Sequence, residues 1–296
     1  MRFGDTTVPG WFHLPPGYAE GTKLPCLVMV SGMDAFKELQ IGGSADRFLR
    51  RGFAILMLDG PGQGTCLTRG IWYDPDRQGA LGTSAFDAAA ARPEVDPERI
   101  MMWGLSFGSF WATQMAAAEP RFAALAVMYT NFQPRNWAIF QMAAPTFRQR
   151  FMYMTGSADE EALERIMDRM DVFRISRELK MPCFVMSGED DSLTDAACTI
   201  EHLNNVPGPK TLVMYAGEEH GMGGSRSSQL GTPFFPLIAD WLADRAAGKP
   251  LESTYNVVDT LGQMHSEPWG EARVHQHGAP LGVDQLWSDE PPVGLA

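Results

Sequence analysis

Six short apolar runs, spaced by helix-like stretches, restrict this chain more than any other feature. They occupy residues 26–31, 53–59, 99–105, 123–130, 182–187 and 211–216. Several are apolar at successive positions, which suits central strands covered on both faces. Between them, residues 37–51, 79–91, 106–118, 195–203 and 233–246 carry helical patterns. Strand and helix alternating at this spacing predict an α/β fold with a mostly parallel, doubly wound sheet. Trp11-Phe12-His13-Leu14 reads as an antiparallel edge strand entering that sheet.

The rhythm breaks between Asn131 and Lys180, where there is far more chain than a strand-to-helix connection needs. The segment holds Trp137, Phe140, Met142, Phe147, Phe151, Met152, Tyr153 and Met154, then an acidic helical pattern over 158–170. Its place in the chain predicts a helical cap above the strand ends. The alternative is an insertion that buries its aromatics in the main core. Residues 1–130 and 181–250 then form the core, 131–180 the cap insertion, and 251–296 an irregular arm rich in Pro, Gly and His, with a homodimer contact as one use for it. A chain of 296 residues, 45% hydrophobic, can bury one large core of this kind.

Acidic residues outnumber basic ones, 36 against 24, for a formal charge of −12. That excess disfavours nucleic acid and anionic membrane as partners. The N-terminus, Met1-Arg2-Phe3-Gly4-Asp5, lacks the apolar core of a signal peptide. No apolar stretch reaches the ~20 residues that cross a bilayer. Cys26, Cys66, Cys183 and Cys198 show neither metal spacing nor a C-x-x-C pair; read as reduced thiols, they fit a cytoplasmic location.

Directly after the run ending at Trp103 comes Gly104-Leu105-Ser106-Phe107-Gly108, the chain's one G-x-S-x-G, followed by a helix-prone stretch. Strand, pentapeptide and helix are the context of a nucleophile elbow, where a strained turn lifts the serine hydroxyl above the sheet. A serine hydroxyl is a weak nucleophile without a base, and the base needs an orienting acid. In this architecture the order is serine, acid, histidine, each after a strand. Gly188-Glu189-Asp190-Asp191-Ser192-Leu193-Thr194 and Gly217-Glu218-Glu219-His220-Gly221-Met222 occupy the two later positions. His220 is the base candidate because it alone among the six histidines follows the last core run. Asp191 is favoured as the acid, with Asp190 as its rival; a helix cap is the alternative use for Asp191 or Thr194. His275-x-His277 lacks further converging ligands, so no metal is expected. For the oxyanion, backbone N–H groups of Phe107 and Met33 are expected, with Gly32 permitting close approach. Asp34 and Lys37 share that loop and offer either an ion pair or a substrate contact.

These stretches, with Gly32-Met33-Asp34-Ala35-Phe36-Lys37-Glu38, Asp59-Gly60-Pro61-Gly62-Gln63-Gly64, Ala118-Glu119-Pro120-Arg121 and Ala239-Asp240-Trp241-Leu242, resemble the α/β-hydrolase superfamily. Within it, the chain resembles the branch that includes 2,6-dihydroxypseudooxynicotine hydrolase, the FrsA-like proteins and fungal polyketide-processing hydrolases. The resemblance covers most of residues 10–250 and implies an eight-stranded, mostly parallel sheet with a helical cap. It assigns nucleophile, acid and base to Ser106, Asp191 and His220. Relatives often carry a long helical region before the first strand, which this sequence does not show. Carbon–carbon-cleaving relatives place an extra carboxylate where Asn131-Phe132-Gln133-Pro134-Arg135-Asn136-Trp137 stands, and here that stretch has no acid.

The expectation, from the aromatic and Met-rich cap segment, is a cofactor-free serine hydrolase acting on a medium-sized, apolar or aromatic small molecule, first of all an ester or lactone. Retro-Claisen cleavage, acyl transfer and a non-catalytic binding role are the alternatives; a peptidase is disfavoured because nothing resembles a β-propeller. Gly32, Asp34, Trp137, Phe140, Phe147 and Met222 are the expected substrate contacts, and Arg135, Arg148 and Arg150 the cations available to an acidic substrate group.

Overall fold

A computed structural model describes residues 1–270. A small hairpin of β1 (Arg2–Phe3) and β2 (Thr6–Thr7) precedes one large sheet. Its nine strands among the described residues are β3 (Gly10–His13), β4 (Leu24–Val30), β5 (Ala54–Leu58), β6 (Val95–Leu105), β7 (Leu125–Met128), β8 (Cys183–Gly188), β9 (Lys210–Tyr215), β10 (Thr254–Val258) and β11 (Met264–Pro268). Their spatial order is β11-β10-β9-β8-β7-β6-β4-β5-β3. The outermost strands, β3 and β11, run antiparallel to their neighbours, and every pairing between them is parallel.

Alternation along the strands separates two apolar layers. Val28, Val30, Met102 and Val127 face the helices Pro75–Ala90 and Phe107–Ala118, while Leu27, Met29, Met101 and Trp103 face Phe48, Ile238 and Leu242. Both faces are dry, which is why these runs are apolar at every position. From β4 the chain steps outward to β5, then crosses back to β6 on the other side of β4. The order therefore reverses between β4 and β6, and the crevice beyond the carboxyl ends of these strands is where an open α/β sheet binds ligands.

Three expectations change. The resemblance implies an eight-stranded sheet, whereas the sheet has nine strands among the described residues. The span 251–296 reads as irregular, yet Thr254–Val258 joins β9 in parallel and Met264–Pro268 folds back on it. Pairing, not periodicity, makes these strands: Tyr255 and Val258 are buried, while β11 is exposed throughout. Asp259 closes their turn by accepting from the Leu261 and Gln263 N–H groups. The rest of the arm, with His275 and His277, lies outside the described residues. The expected helix 37–51 is broken into Lys37–Gln40, a π turn Ile41–Ala45 and Asp46–Leu49, with Gly42-Gly43 at the break.

The insertion folds into short turns Pro134–Asn136 and Ala138–Met142 and helices Pro145–Thr155, Glu160–Met167 and Phe173–Ser176. Phe140 stacks on Phe151 with ring centroids 4.4 Å apart, and both rings approach Phe107. Met154, Leu163, Met167 and Met170 are buried with them. Much of the insertion's apolar content thus belongs to the core around the elbow helix.

Candidate active site

Ser106 stands between β6 and the helix Phe107–Ala118 at φ 56°, ψ −125°, a conformation side chains avoid. Its N–H donates to the Met128 carbonyl at 2.9 Å, which ties the turn to β7. The flanking glycines are there for space. A Cβ on Gly104 would lie 2.2 Å from the Gly108 carbonyl oxygen, and one on Gly108 2.5 Å from that of Ser31. Helix, strand and turn can close on each other only without those atoms.

The Ser106 Oγ lies 2.7 Å from His220 Nε2. On the other side of the ring, Nδ1 is 2.9 Å from Asp191 Oδ2 and 3.1 Å from Oδ1. The Asp191 side chain is fully buried, and its Oδ1 also accepts from the Leu193 and Thr194 N–H groups at 2.8 and 3.2 Å. Helix Ala196–Asn205 is capped by Asp195, which accepts from the Ala197 N–H, so Asp191 is not spent as the cap. Asp190 is exposed and does not reach His220; its backbone N–H donates to the Glu218 carbonyl.

Glu218, absent from the residues expected in the site, holds the loop that carries His220. Its buried carboxylate accepts from the N–H groups of Gly223, Gly224 and Ser225 and from the Ser225 hydroxyl. Burial alone would raise its pKa; hydrogen bonds from Ser228, Ser225 and Gly224 outweigh that and hold it below the ordinary glutamate range. Tyr129 is a second residue the sequence did not mark. It adopts φ 55° and sets its ring 6.2 Å from the imidazole, and burial pushes its phenol up to about 12.

Opposite the serine lies the loop after β4. A Cβ on Gly32 would fall 3.0 Å from Ser106 Cβ and 3.5 Å from its Oγ, so the backbone passes directly beside the nucleophile. Met33 is buried, and Phe107 begins the elbow helix, where N–H groups have no intrahelical acceptor. Lys37 does not pair with Asp34. Its ammonium reaches Asp59 at 2.6 Å, Glu38 at 2.7 Å and the Thr65 hydroxyl at 2.7 Å, and it is itself buried. Burial alone would lower its pKa, but Asp59 and Glu38 overcome this and raise it. Asp59 also accepts from the N–H groups of Lys37 and Thr65, so the two loops are fastened together.

The other expected contacts divide. Phe140 packs against Phe107, as part of the buried aromatic cluster. Asp34 is exposed and pairs with Arg150. Trp137, Phe147 and Met222 are half-buried; among the described residues none makes a hydrogen bond or ring contact with Ser106, Asp191 or His220. Arg135 and Arg148 are engaged by Glu164, Asp168 and Glu160 within the insertion. In the loop after β7, the side-chain amides of Asn131 and Asn136 are buried and find no hydrogen-bond partner among the described residues.

A strained serine at a strand-to-helix turn, above a mostly parallel sheet and in hydrogen-bond contact with a histidine from a later loop, defines the chain as an α/β hydrolase. Residues 47–245 match the model of the prolyl oligopeptidase family, peptidase S9, and the chain belongs to that family. It is similar to hydrolase acrC of Aspergillus aculeatus, 37% identical over 131 residues that cover 40% of this chain and 30% of that protein. It is also similar to α/β hydrolase psoB of Aspergillus fumigatus, 31% identical over 152 residues, 49% of this chain and 34% of that protein. The chain spans about a third of the length of these curated relatives. Among solved structures, 2,6-dihydroxy-pseudo-oxynicotine hydrolase superposes with a TM-score of 0.71 at 23% identity, covering 82% of this chain and 66% of that one. No helix among the described residues is long and apolar enough to cross a membrane.

Proposed function

We propose that the protein is a serine hydrolase that works through an acyl-enzyme on the carbonyl of a medium-sized, largely apolar substrate, with an ester or lactone as the scissile bond. The observation that carries this reading is the continuous hydrogen-bonded path Asp191–His220–Ser106. Asp191 accepts a hydrogen bond from Nδ1–H, which fixes the tautomer and leaves Nε2 free to take the Ser106 proton as Oγ attacks. The developing oxyanion is received by the N–H groups of Met33 and Phe107. His220 then hands its proton to the leaving group, and a water activated at the same nitrogen releases the acid. An ester is preferred over a carbon–carbon bond because the stretch 131–137 supplies no carboxyl group to protonate a carbanion leaving group.

A fluorophosphonate probe tests the chemistry. The wild type should be labelled on one residue, and Ser106→Ala should abolish labelling and hydrolysis of p-nitrophenyl esters. An unlabelled wild type, or equal labelling of Ser106→Ala, would falsify the proposal. Faster turnover of an aromatic β-diketone than of any aryl ester reassigns the bond to carbon–carbon, and preference for a prolyl p-nitroanilide reassigns it to an amide. Acyl transfer to an added alcohol in place of hydrolysis would identify a transferase.

A further inference from the structure

The carbonyl of Gly32 is gripped from two sides. The Ala35 N–H donates to it at 3.1 Å, and so does the side-chain amide of Gln63. The opposite end of that amide, Oε1, accepts from the Gly60 N–H at 3.1 Å. Its nitrogen thus faces an acceptor and its oxygen a donor, so its orientation follows from its partners. Gln63 is buried, at 3% exposure. The turn beneath it is also fixed: the Gly62 N–H donates to the Ile71 carbonyl at 2.7 Å, and Asp59 anchors the neighbouring Thr65.

The Gly32 C=O and the Met33 N–H belong to one planar peptide unit, and the described residues contain no cis bond. In a trans peptide the two bonds point in opposite directions. Holding the carbonyl on Gln63 therefore turns the Met33 N–H away from the 60–63 turn. Among the described residues that N–H has no acceptor, and Gly32 beside it abuts Ser106. We infer that Gln63 is a positioning residue: its amide, through the Gly32–Met33 peptide, aims the Met33 N–H at the transition-state oxyanion without touching substrate. The inference rests on the proposed roles of Ser106 and Met33. It also gives the Asp-Gly-Pro-Gly-Gln-Gly stretch a chemical task in a loop that holds no nucleophile, acid or base.

The test uses Gln63→Met, which removes both hydrogen bonds without adding charge, and Gln63→Glu, which at high pH keeps an acceptor for Gly60 but offers Gly32 no donor. Deleting an oxyanion donor costs about 100- to 1,000-fold in kcat. Misaiming one should cost about 10- to 100-fold, with KM for a p-nitrophenyl ester within about threefold of wild type. Affinity for an aryl boronic acid, whose adduct on Ser106 is tetrahedral, should fall by the same factor as kcat/KM. In Gln63→Glu, activity relative to wild type should recover as the pH is lowered, because a protonated carboxyl again donates to Gly32. Wild-type kcat and boronate affinity in both variants would overturn the inference. So would losses that only follow the unfolded fraction in a melt, which would mark the glutamine as merely structural. Wild-type protein that fails to react with the fluorophosphonate sinks the underlying reading instead; labelled wild type with indifferent Gln63 variants sinks this inference alone.

Discussion

Asp191 and Asp190 are adjacent in sequence and opposite in circumstance. Asp191 is buried and shares one carboxylate among His220, Leu193 and Thr194, whereas Asp190 points to solvent. Replacing Asp191 by Asn puts an amide against Nδ1 and favours the wrong imidazole tautomer. The expected fall in kcat is about 10,000-fold, the scale found for a triad acid elsewhere, while Asp190→Asn should stay within about threefold; p-nitrophenyl ester turnover reads both. His202 supplies a stability test away from the site. Burial, with a smaller contribution from Lys210, lowers its pKa to about 3, and its Nδ1 meets the Ser176 hydroxyl at 2.7 Å. The folded state therefore binds no proton there where the unfolded state does, between about 6.5 and 3. Its contribution is complete above pH 6.5 and is lost as the pH falls, by up to about 1.4 kcal/mol per pH unit. Urea midpoints from pH 7 to 4 should drop less steeply for His202→Gln than for wild type. Ser106, Asp191 and His220 were legible because each is fixed by its place after a strand. Glu218 and Gln63 were not, because their task is set by backbone groups that only folding brings opposite them.

At the level of elements, the central strands were readable to within about two residues at most ends, since a run buried on both faces leaves an unbroken apolar signature; β6 instead begins at Val95, ahead of the expected run, through the polar stretch Asp96-Pro97-Glu98. The edge left none: β11 has no buried face, and β10 took its identity from β9. The segment 37–49 was misread in the opposite sense, as one helix where Gly42-Gly43 admits a π turn. A Cβ on either glycine would meet nothing within 4 Å, and neither has a positive φ. Gly43→Ala should therefore raise stability by about 0.4–1 kcal/mol by restricting the unfolded chain, seen as a higher melting temperature. Gly108→Ala is the contrary case. Its Cβ would collide with the carbonyls of Val30 and Ser31, so the elbow helix must lift from β4. Fluorophosphonate labelling should be lost and the melt lowered, whereas a well-folded, fully labelled variant would refute this account of the turn.

For the molecule as a whole, β10 and β11 extend the sheet past the strand that leads to His220. Without them β9 becomes a long, apolar, unpaired edge, the feature native sheets avoid. A chain ending at Pro250 should melt lower and aggregate, as judged by light scattering, because Tyr255 and Val258 no longer cover Leu212 and its neighbours. The three residues of the hydrogen-bonded path stand after β6, β8 and β9, each paired to its neighbour in parallel across long stretches of chain. Such contacts form slowly, since each must close a large loop before it gains anything. On dilution from denaturant, reactivity toward the fluorophosphonate should return after the helical circular dichroism signal. The serine then acts as a clock, reporting the moment when the far half of the sheet has docked onto the near half.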